Sequence, residues 1–341
     1  MHVLPSDVVS LERYLAGRLP DFSTPIAIRQ FRGGQSNPTY HLNAAGKDYV
    51  LRQKPAGVLL PSAHAIEREH RVLSALQHSG VPVPRTYLLC EDPRVIGTPF
   101  YVMDYIAGEV MTDPALPNRS AADRRAVYES MAAVLARLHS VDWRVAGLSD
   151  FGRPGNYVAR QVHRWTAQYR ASETERIDAM ERLIEWLPAH IPEGNEDAVV
   201  HGDYRPGNLI VHPTEPRVVG VIDWELSTIG HPLVDLGHHA LIFRTGPEDF
   251  GAFGDGARPD GVPSEAEHLA GYCRLTSRES LPGWEFYVTF AMFRFAAIFQ
   301  GIMGRVVAGT AIDPEARRAG ARARPLAERA WRSIRPSVTN G

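Results

Sequence analysis

Residues 199–236 read VVHGDYRPGNLIVHPTEPRVVGVIDWELSTIGHPLVDL. Two apolar, Val-rich runs, Ala198–Val200 and Val218–Ile222, are bounded by Gly and Pro, the pattern of short buried strands. The first run ends in His201-Gly202-Asp203, and Asn208 follows five residues after the Asp. The second ends in Asp223-Trp224-Glu225. The pattern predicts a carboxylate on a loop, an amide near it, and a second carboxylate one hairpin away.

Phosphoryl transfer from a nucleotide uses such a set, because positioning and charge neutralisation supply most of the catalysis. One Asp orients the attacking hydroxyl and takes its proton, while an Asn and a second Asp offer the hard oxygen ligands that suit Mg²⁺. Asp203 fits the first role; Asn208 and Asp223 fit the second. The spacing D-x-x-x-x-N matches the kinase catalytic loop, with Gly202 where protein kinases carry Arg. H-G-D-x-x-x-x-N, then I-D-W-E, then H-P-x-x-D-L resembles the aminoglycoside phosphotransferase and choline kinase superfamily. The fuller wording is most similar to the kinase-like domain fused to, or encoded beside, acyl-CoA dehydrogenases. The resemblance extends over about residues 25–310 and implies an α+β, bilobal protein-kinase-like fold. An N-terminal antiparallel sheet lobe (1–106, ending at a hinge) would precede a mainly helical C-terminal lobe (107–341) that carries catalysis and acceptor binding.

Composition sets bounds. The chain has 341 residues, 44% hydrophobic and 22% charged, with net charge −2. That suffices for one large or two moderate domains and lends no support to a nucleic-acid partner. Nothing approaches an uninterrupted apolar run of about 18 residues, so no membrane span is expected. The first 20 residues lack a signal-peptide pattern and read as a capped amphipathic helix. Cys90 and Cys273 have no metal or redox spacing and read as structural thiols in a reducing cytoplasm. Lysine occurs only at Lys47 and Lys54, so a cation gripping phosphates is one of these or an arginine standing in.

In chain order, a helix is expected over 6–19, then strands at 26–31, 40–43 and 49–53. Gly33 and Gly34, with Ser36 close by, separate the first two strands. This is either a plain hairpin turn or a loop whose amides approach phosphate oxygens; the resemblance implies the second. Alternation in the third strand puts Val50, Arg52 and Lys54 on one face. The kinase order of aromatic, small, apolar, cation falls on Tyr49-Val50-Leu51-Arg52, and choline-kinase-like relatives carry Arg there. Arg52 is therefore read as the phosphate clamp and Lys54 as its alternative; both could instead be solvated charges. Ser62 is read as the cap of a helix to about Ser79, on which Glu69 matches the kinase glutamate that pairs with the strand cation.

Two more strands, 86–90 and 99–105, lead to the hinge. By resemblance the backbone of Asp104 and Ile106 would meet adenine, and Met103 would line the rear of its pocket. Helices follow over 121–140, 156–171 and 175–190, and after the catalytic segment one opening at Pro232, then 264–276, 283–308 and 313–335. The resemblance makes Asp235 a brace for the catalytic loop and His201 a packing residue behind it. Arg205 lies where many kinases hold a cation that meets the transferring phosphate, or it meets the substrate. Arg294, Gln300 and Arg305 are candidates to face an acceptor.

The leading expectation is an enzyme, an ATP- and Mg²⁺-dependent kinase of a small-molecule hydroxyl. From 313 to 335 arginines outnumber carboxylates, which disfavours polycationic aminoglycosides and favours an anionic acceptor. The dehydrogenase-associated resemblance points to a hydroxyacyl-CoA or related hydroxy acid, with a functional link to acyl-CoA dehydrogenase. The 341 residues contain no dehydrogenase segment, so that link is expected to run between separate proteins. Alternatives are an aminoglycoside-type kinase, a nucleotide-binding pseudokinase module, and a metal-dependent hydrolase built on His201, Asp203, Asp223 and His231.

Overall fold

The computed structural model describes residues 7–31, 37–55, 65–249, 251–254 and 256–334. Helix α1 (Val8–Leu15) is capped by Asp7, whose carboxylate accepts from the Ser10 amide at 2.8 Å. Strands β1 (Ile26–Gln30), β2 (Thr39–Ala44) and β3 (Lys47–Gln53) form an antiparallel meander. Helix α2 (Ile66–Leu76) precedes β4 (Thr86–Cys90) and β5 (Phe100–Asp104), which complete a five-stranded sheet in the order β1-β2-β3-β5-β4.

The two faces of this sheet enter different cores, as the period-2 pattern requires. Tyr49 and Leu51 join Tyr40, Leu42, Phe100 and Val102 in a small core closed by Leu11 and Leu15 of α1. Val50, Tyr101 and Met103 on the opposite face join the large core shared with the helices. Arg52 follows Val50 on that inner face.

Beyond β5, β6 (Glu109–Val110) pairs with β8 (Leu209–Val211), which pairs with β9 (Val218–Val221). Strand β7 (Ala198–Val200) pairs with β10 (Thr228–Gly230). The helices of this part are α3 (Ala121–His139), α4 (Tyr157–Ala171), α5 (Asp178–Ala189) and α6 (Pro232–Arg244), of which α3 and α6 pack on β7. The chain closes with α7 (Glu265–Leu275), α8 (Trp284–Val307), α9 (Ala316–Gly320) and α10 (Ala323–Ser333). Ser120 caps α3, and Ser264 with Glu267 forms a capping box on α7.

By length and composition α8 could cross a membrane, although no unbroken apolar run announces it; 78% of its most apolar stretch is buried inside the protein. It packs against α6 and α10 as a core helix, apolar on all sides because it is covered on nearly all sides. The single helix expected over 313–335 is two. Gly320 sits so close to α8 that a Cβ there would lie 2.9 Å from Met303. Pro325 falls in the first turn of α10, where its missing N–H leaves no ladder bond unmade. The expected cap Ser62 lies outside the described residues, as do Gly33, Gly34 and Ser36.

Candidate active site

Strand β7 delivers His201, Gly202 and Asp203 to the foot of the sheet. Gly202 has φ +81°, and a Cβ there would lie 2.6 Å from the Leu226 carbonyl, so the arginine that protein kinases carry here has no room. The loop is pinned from α6. Asp235 accepts from the amides of His201 and Gly202 at 2.6 and 2.8 Å. Burial pushes the Asp235 carboxyl up, yet His139, His201 and these amides outweigh it and hold it below the ordinary carboxylate value. His139 Nε2 stands 3.5 Å from Asp235 and its Nδ1 2.7 Å from the Tyr272 hydroxyl, which makes it structural. His201, fully buried, accepts from the Asp203 amide at Nδ1 (3.2 Å) and donates from Nε2 to the Ile222 carbonyl (3.0 Å). Its ring packs 4.7 Å from that of Trp224.

Asp203 is surrounded by donors. Asn208 Nδ2 donates to its Oδ2 at 2.7 Å and to its carbonyl at 2.9 Å. Arg205 Nε donates to the same Oδ2 at 3.1 Å. His238 Nε2 lies 3.1 Å from Oδ1. Burial would raise the Asp203 carboxyl; His238, Arg205 and His201 win and hold it well below the usual carboxylate range, so it is a carboxylate at neutral pH.

A second cluster gathers around Arg52 of β3, next to the hairpin in which the Ile222 amide donates to the Asn208 carbonyl at 3.0 Å. Arg52 Nε is 2.8 Å from Glu69 Oε2, and its Nη2 is 2.8 Å from Asp223 Oδ1 and 3.9 Å from Glu225 Oε2. Arg52 and Glu69 are shielded, with side chains 12% and 2% exposed. Burial pushes Glu69 up to about 7; Arg52 opposes this, and repulsion from Asp223 and Glu225 adds to it. Asp223 has φ +67°, a left-handed conformation that Asp tolerates better than most residues. Lys54 instead pairs with Glu67 at 3.2 Å, so the structure resolves the choice of cation in favour of Arg52 as the residue facing the cluster.

The donor set suits a hard divalent cation. Asn208 Nδ2 is occupied by Asp203, which turns its amide oxygen the other way, and Asp223 has one oxygen on Arg52 and a side chain 35% exposed. Among the described residues no three His, Cys, Asp or Glu side chains gather as a cage. One carboxylate and one amide fit Mg²⁺, which takes few protein ligands and relies on phosphates and water for the rest.

At the hinge, Val50 pairs with Met103 across β3 and β5. The Asp104 amide donates to the Arg85 carbonyl at 2.8 Å, and its carboxylate accepts from the Tyr87 hydroxyl. That leaves the main-chain carbonyl as the group Asp104 can offer a base. Ile106 lies against Gly220, where a Cβ would fall 2.8 Å from its Cδ1.

Two residues near the site, His238 and Glu225, are given no role by the sequence reading, and a third, Arg294, is given a different one. His238 lies one turn beyond Asp235 on the same helix face, and i,i+3 spacing was the available signal. Glu225, in the motif itself, approaches Arg52. Arg294 is not in the open cleft but buried, its Nη2 donating to the Gly202 carbonyl at 2.9 Å and its guanidinium 5.2 Å from the Trp165 ring. Gln300 ties α8 to Ser172 and Thr174, which is packing, and Arg305 is exposed near the helix end.

Comparison with known proteins bears on this geometry. The family profile described as "Phosphotransferase enzyme family" matches residues 27–268. Acyl-CoA dehydrogenase family member 10 of Mus musculus is 46% identical over 333 residues, 96% of this chain and 31% of that protein. Acyl-CoA dehydrogenase family member 11 of Homo sapiens is 42% identical over 320 residues, 90% of this chain and 41% of that protein. The chain thus spans less than half the length of these relatives. A Ralstonia eutropha crystal structure, solved under a provisional aminoglycoside phosphotransferase name, superposes with TM-score 0.88 at 47% identity, covering 96% of this chain and 98% of that one. Spectinomycin phosphotransferase in complex with ADP and spectinomycin superposes with TM-score 0.63 at 13% identity, covering 97% and 99%, a likeness of fold alone. The α+β bilobal, protein-kinase-like architecture is shared by all of these structures.

Proposed function

The chain belongs to the phosphotransferase enzyme family, and on that premise we propose that it transfers the terminal phosphoryl group of ATP, with Mg²⁺, to a hydroxyl of an anionic small molecule. The lobes would meet near residues 106–107. The observation that carries the reading is a pair of neighbouring clusters: Asp203 held by Asn208, and Asp223 held by Arg52, which Glu69 holds in turn.

Asp203 takes the acceptor hydroxyl proton as its oxygen attacks the terminal phosphorus and the bond to the ADP oxygen breaks. Arg52, aimed by Glu69, grips phosphate oxygens; by the resemblance alone, Gly33, Gly34 and Ser36 would cover them. The carbonyl of Asp104 and the amide of Ile106 meet adenine between Val50 and Met103. The amide oxygen of Asn208 and a carboxylate oxygen of Asp223 would hold the metal, which when bound would offset phosphate charge. Asp235 and His201 keep the loop in register.

The acceptor class rests on Arg205 and on the relatives. Arg205 borders Asp203 and is 38% exposed, within reach of an anionic group on the acceptor. The arginines of 313–335 lend less than their number suggested: Arg324 pairs with Glu175, Arg329 with Asp249 and Arg318 with Glu315. The names of the relatives point to acyl-CoA metabolism, hence a hydroxyacyl-CoA or hydroxy acid supplied to, or drawn from, an acyl-CoA dehydrogenase. We assign this work to the cytoplasm. ADP release by the purified protein with Mg²⁺, across hydroxyacyl-CoAs, hydroxy acids, aminoglycosides and choline, tests the reading. Release that depends on an anionic acceptor and vanishes in Asp203→Ala supports it; release with aminoglycosides alone, or no ATP binding, overturns it.

A further inference from the structure

We propose that His238 is a positioning residue for this phosphoryl transfer, holding one oxygen of Asp203 so that the other is presented to the acceptor hydroxyl. The proposal rests on the phosphotransferase reading of Asp203.

Helix α6 grips the catalytic loop twice from one face. Asp235 holds the main-chain amides of His201 and Gly202, and one turn later His238 meets the Asp203 side chain, Nε2 to Oδ1 at 3.1 Å. The imidazole is 2% exposed and its ring centre lies 5.0 Å from that of Phe295 on α8. Two further charges bear on it: Arg294 from α8 opposes its protonation and Asp235 from its own helix favours it. Burial is the larger influence and keeps the ring neutral at neutral pH.

A neutral imidazole has one N–H. Facing a carboxylate oxygen, that hydrogen belongs on Nε2. Nδ1 then carries a lone pair and has no polar partner among the described residues, whereas Nε2 has Oδ1 at 3.1 Å, close but not aligned as a full hydrogen bond. The ring is thus used at one atom only, the atom that touches Asp203.

The consequence is a division of labour between the two oxygens. Oδ1 faces a buried ring that nothing in solution reaches. Oδ2 receives buried Asn208 and half-exposed Arg205. A carboxylate held at both oxygens does not turn about its last torsion. The acceptor hydroxyl therefore approaches Oδ2 at the position of Arg205, the displaceable donor, in a geometry set before the acceptor arrives.

Two substitutions separate positioning from packing. His238→Phe keeps the bulk beside Phe295 and removes the donor; His238→Gln keeps a donor. The readouts are Mg-ATP turnover with water as acceptor, the KM for ATP, the thermal midpoint, and the ¹⁵N signals of the His238 ring in wild type and Asp203→Asn. Loss of one close N–H to carboxylate contact predicts that His238→Phe lowers kcat about tenfold at unchanged KM for ATP, and that His238→Gln recovers most of it. The ring is expected in its Nε2–H form, with signals that move in Asp203→Asn. Wild-type kcat in a folded His238→Phe, or equal losses in both variants, overturns the proposal. Should His238→Phe not fold, an Nδ1–H ring, or signals indifferent to Asp203→Asn, overturns it. A wild type that neither binds nor turns over ATP instead overturns the phosphotransferase reading itself.

Discussion

The two halves of the site solve opposite electrostatic problems. At the catalytic loop one carboxylate, Asp203, faces three donors: His238, Asn208 and Arg205. Beside it one cation, Arg52, faces three carboxylates: Glu69, Asp223 and Glu225. Both carboxyls that anchor these clusters are shielded, yet Asp203 is held below the ordinary range and Glu69 is pushed up to about 7. Burial favours protonation in both places, so the partners decide the outcome. The first cluster is complete as it stands. The second carries surplus negative charge, which a bound cation offsets.

Asp203→Ala attacks the complete cluster and has the largest expected effect. Phosphoryl transfer should fall by about 10³-fold, as loss of a general base allows. Rates from an acceptor-dependent ADP assay check this; a variant within about threefold of wild type breaks the comparison, because Asp203 would then not be the base.

Arg52→Met attacks the surplus cluster. It leaves Glu69 buried without its cation, and denaturant melts should show a loss of about 3–5 kcal/mol. Asp223→Asn, which removes one of the competing charges, should cost far less and should also abolish stabilisation by Mg²⁺.

The opposed carboxyls give opposed pH dependences. Folded Glu69 keeps its proton up to about 7, whereas its ordinary value is 4.5, so the folded state binds more protons in that window. Its contribution to stability is present below 4.5 and declines as pH rises to 7, by about 3 kcal/mol without metal. Glu69→Gln should flatten that decline, and Mg²⁺ should raise the melting temperature more at pH 8 than at pH 5. For Asp203 the folded value lies below the ordinary 3.8, so its contribution is present above 3.8 and is lost as pH falls further. Asp203→Asn should flatten only that acid limb. Melts from pH 3 to 8 read both slopes; slopes of the same sign would dissolve the distinction.

Arg205→Ala sharpens the comparison within the first cluster and has the smallest effect. Its half-exposed pair with Asp203 should contribute under about 1 kcal/mol to stability. If Arg205 meets the acceptor, its removal raises the acceptor KM and leaves the KM for ATP unchanged, which steady-state kinetics will separate.

Most elements were legible because their signals are local. Alternation in β3 placed Val50 and Arg52 on one face and Tyr49 and Leu51 on the other, and the structure sends those faces to separate cores. The catalytic spacing was legible for the same reason, since Asp203 and Asn208 sit five residues apart on one loop. The short strands β6, β8 and β10 were not, because two or three residues carry no periodicity. The C-terminal helix was read as continuous because its apolar pattern persists across Gly320 and Pro325. Counting arginines over 313–335 overstated a basic surface, since their carboxylate partners Glu175 and Asp249 lie far away in sequence.

The sequence by itself determined most of the order of elements, through period and punctuation, and set Asp203, Asn208 and Asp223 at the spacing that carries the family resemblance, from which the fold class was inferred. Only the tertiary structure decided which cation faces the cleft, since Arg52 and Asp223 meet across 171 residues. It also decided that Arg294 serves Gly202 rather than the open cleft, and that His238 stands against Asp203. Those contacts arise from helices packing on a loop, and no local pattern along the chain encodes which side chains such packing brings together.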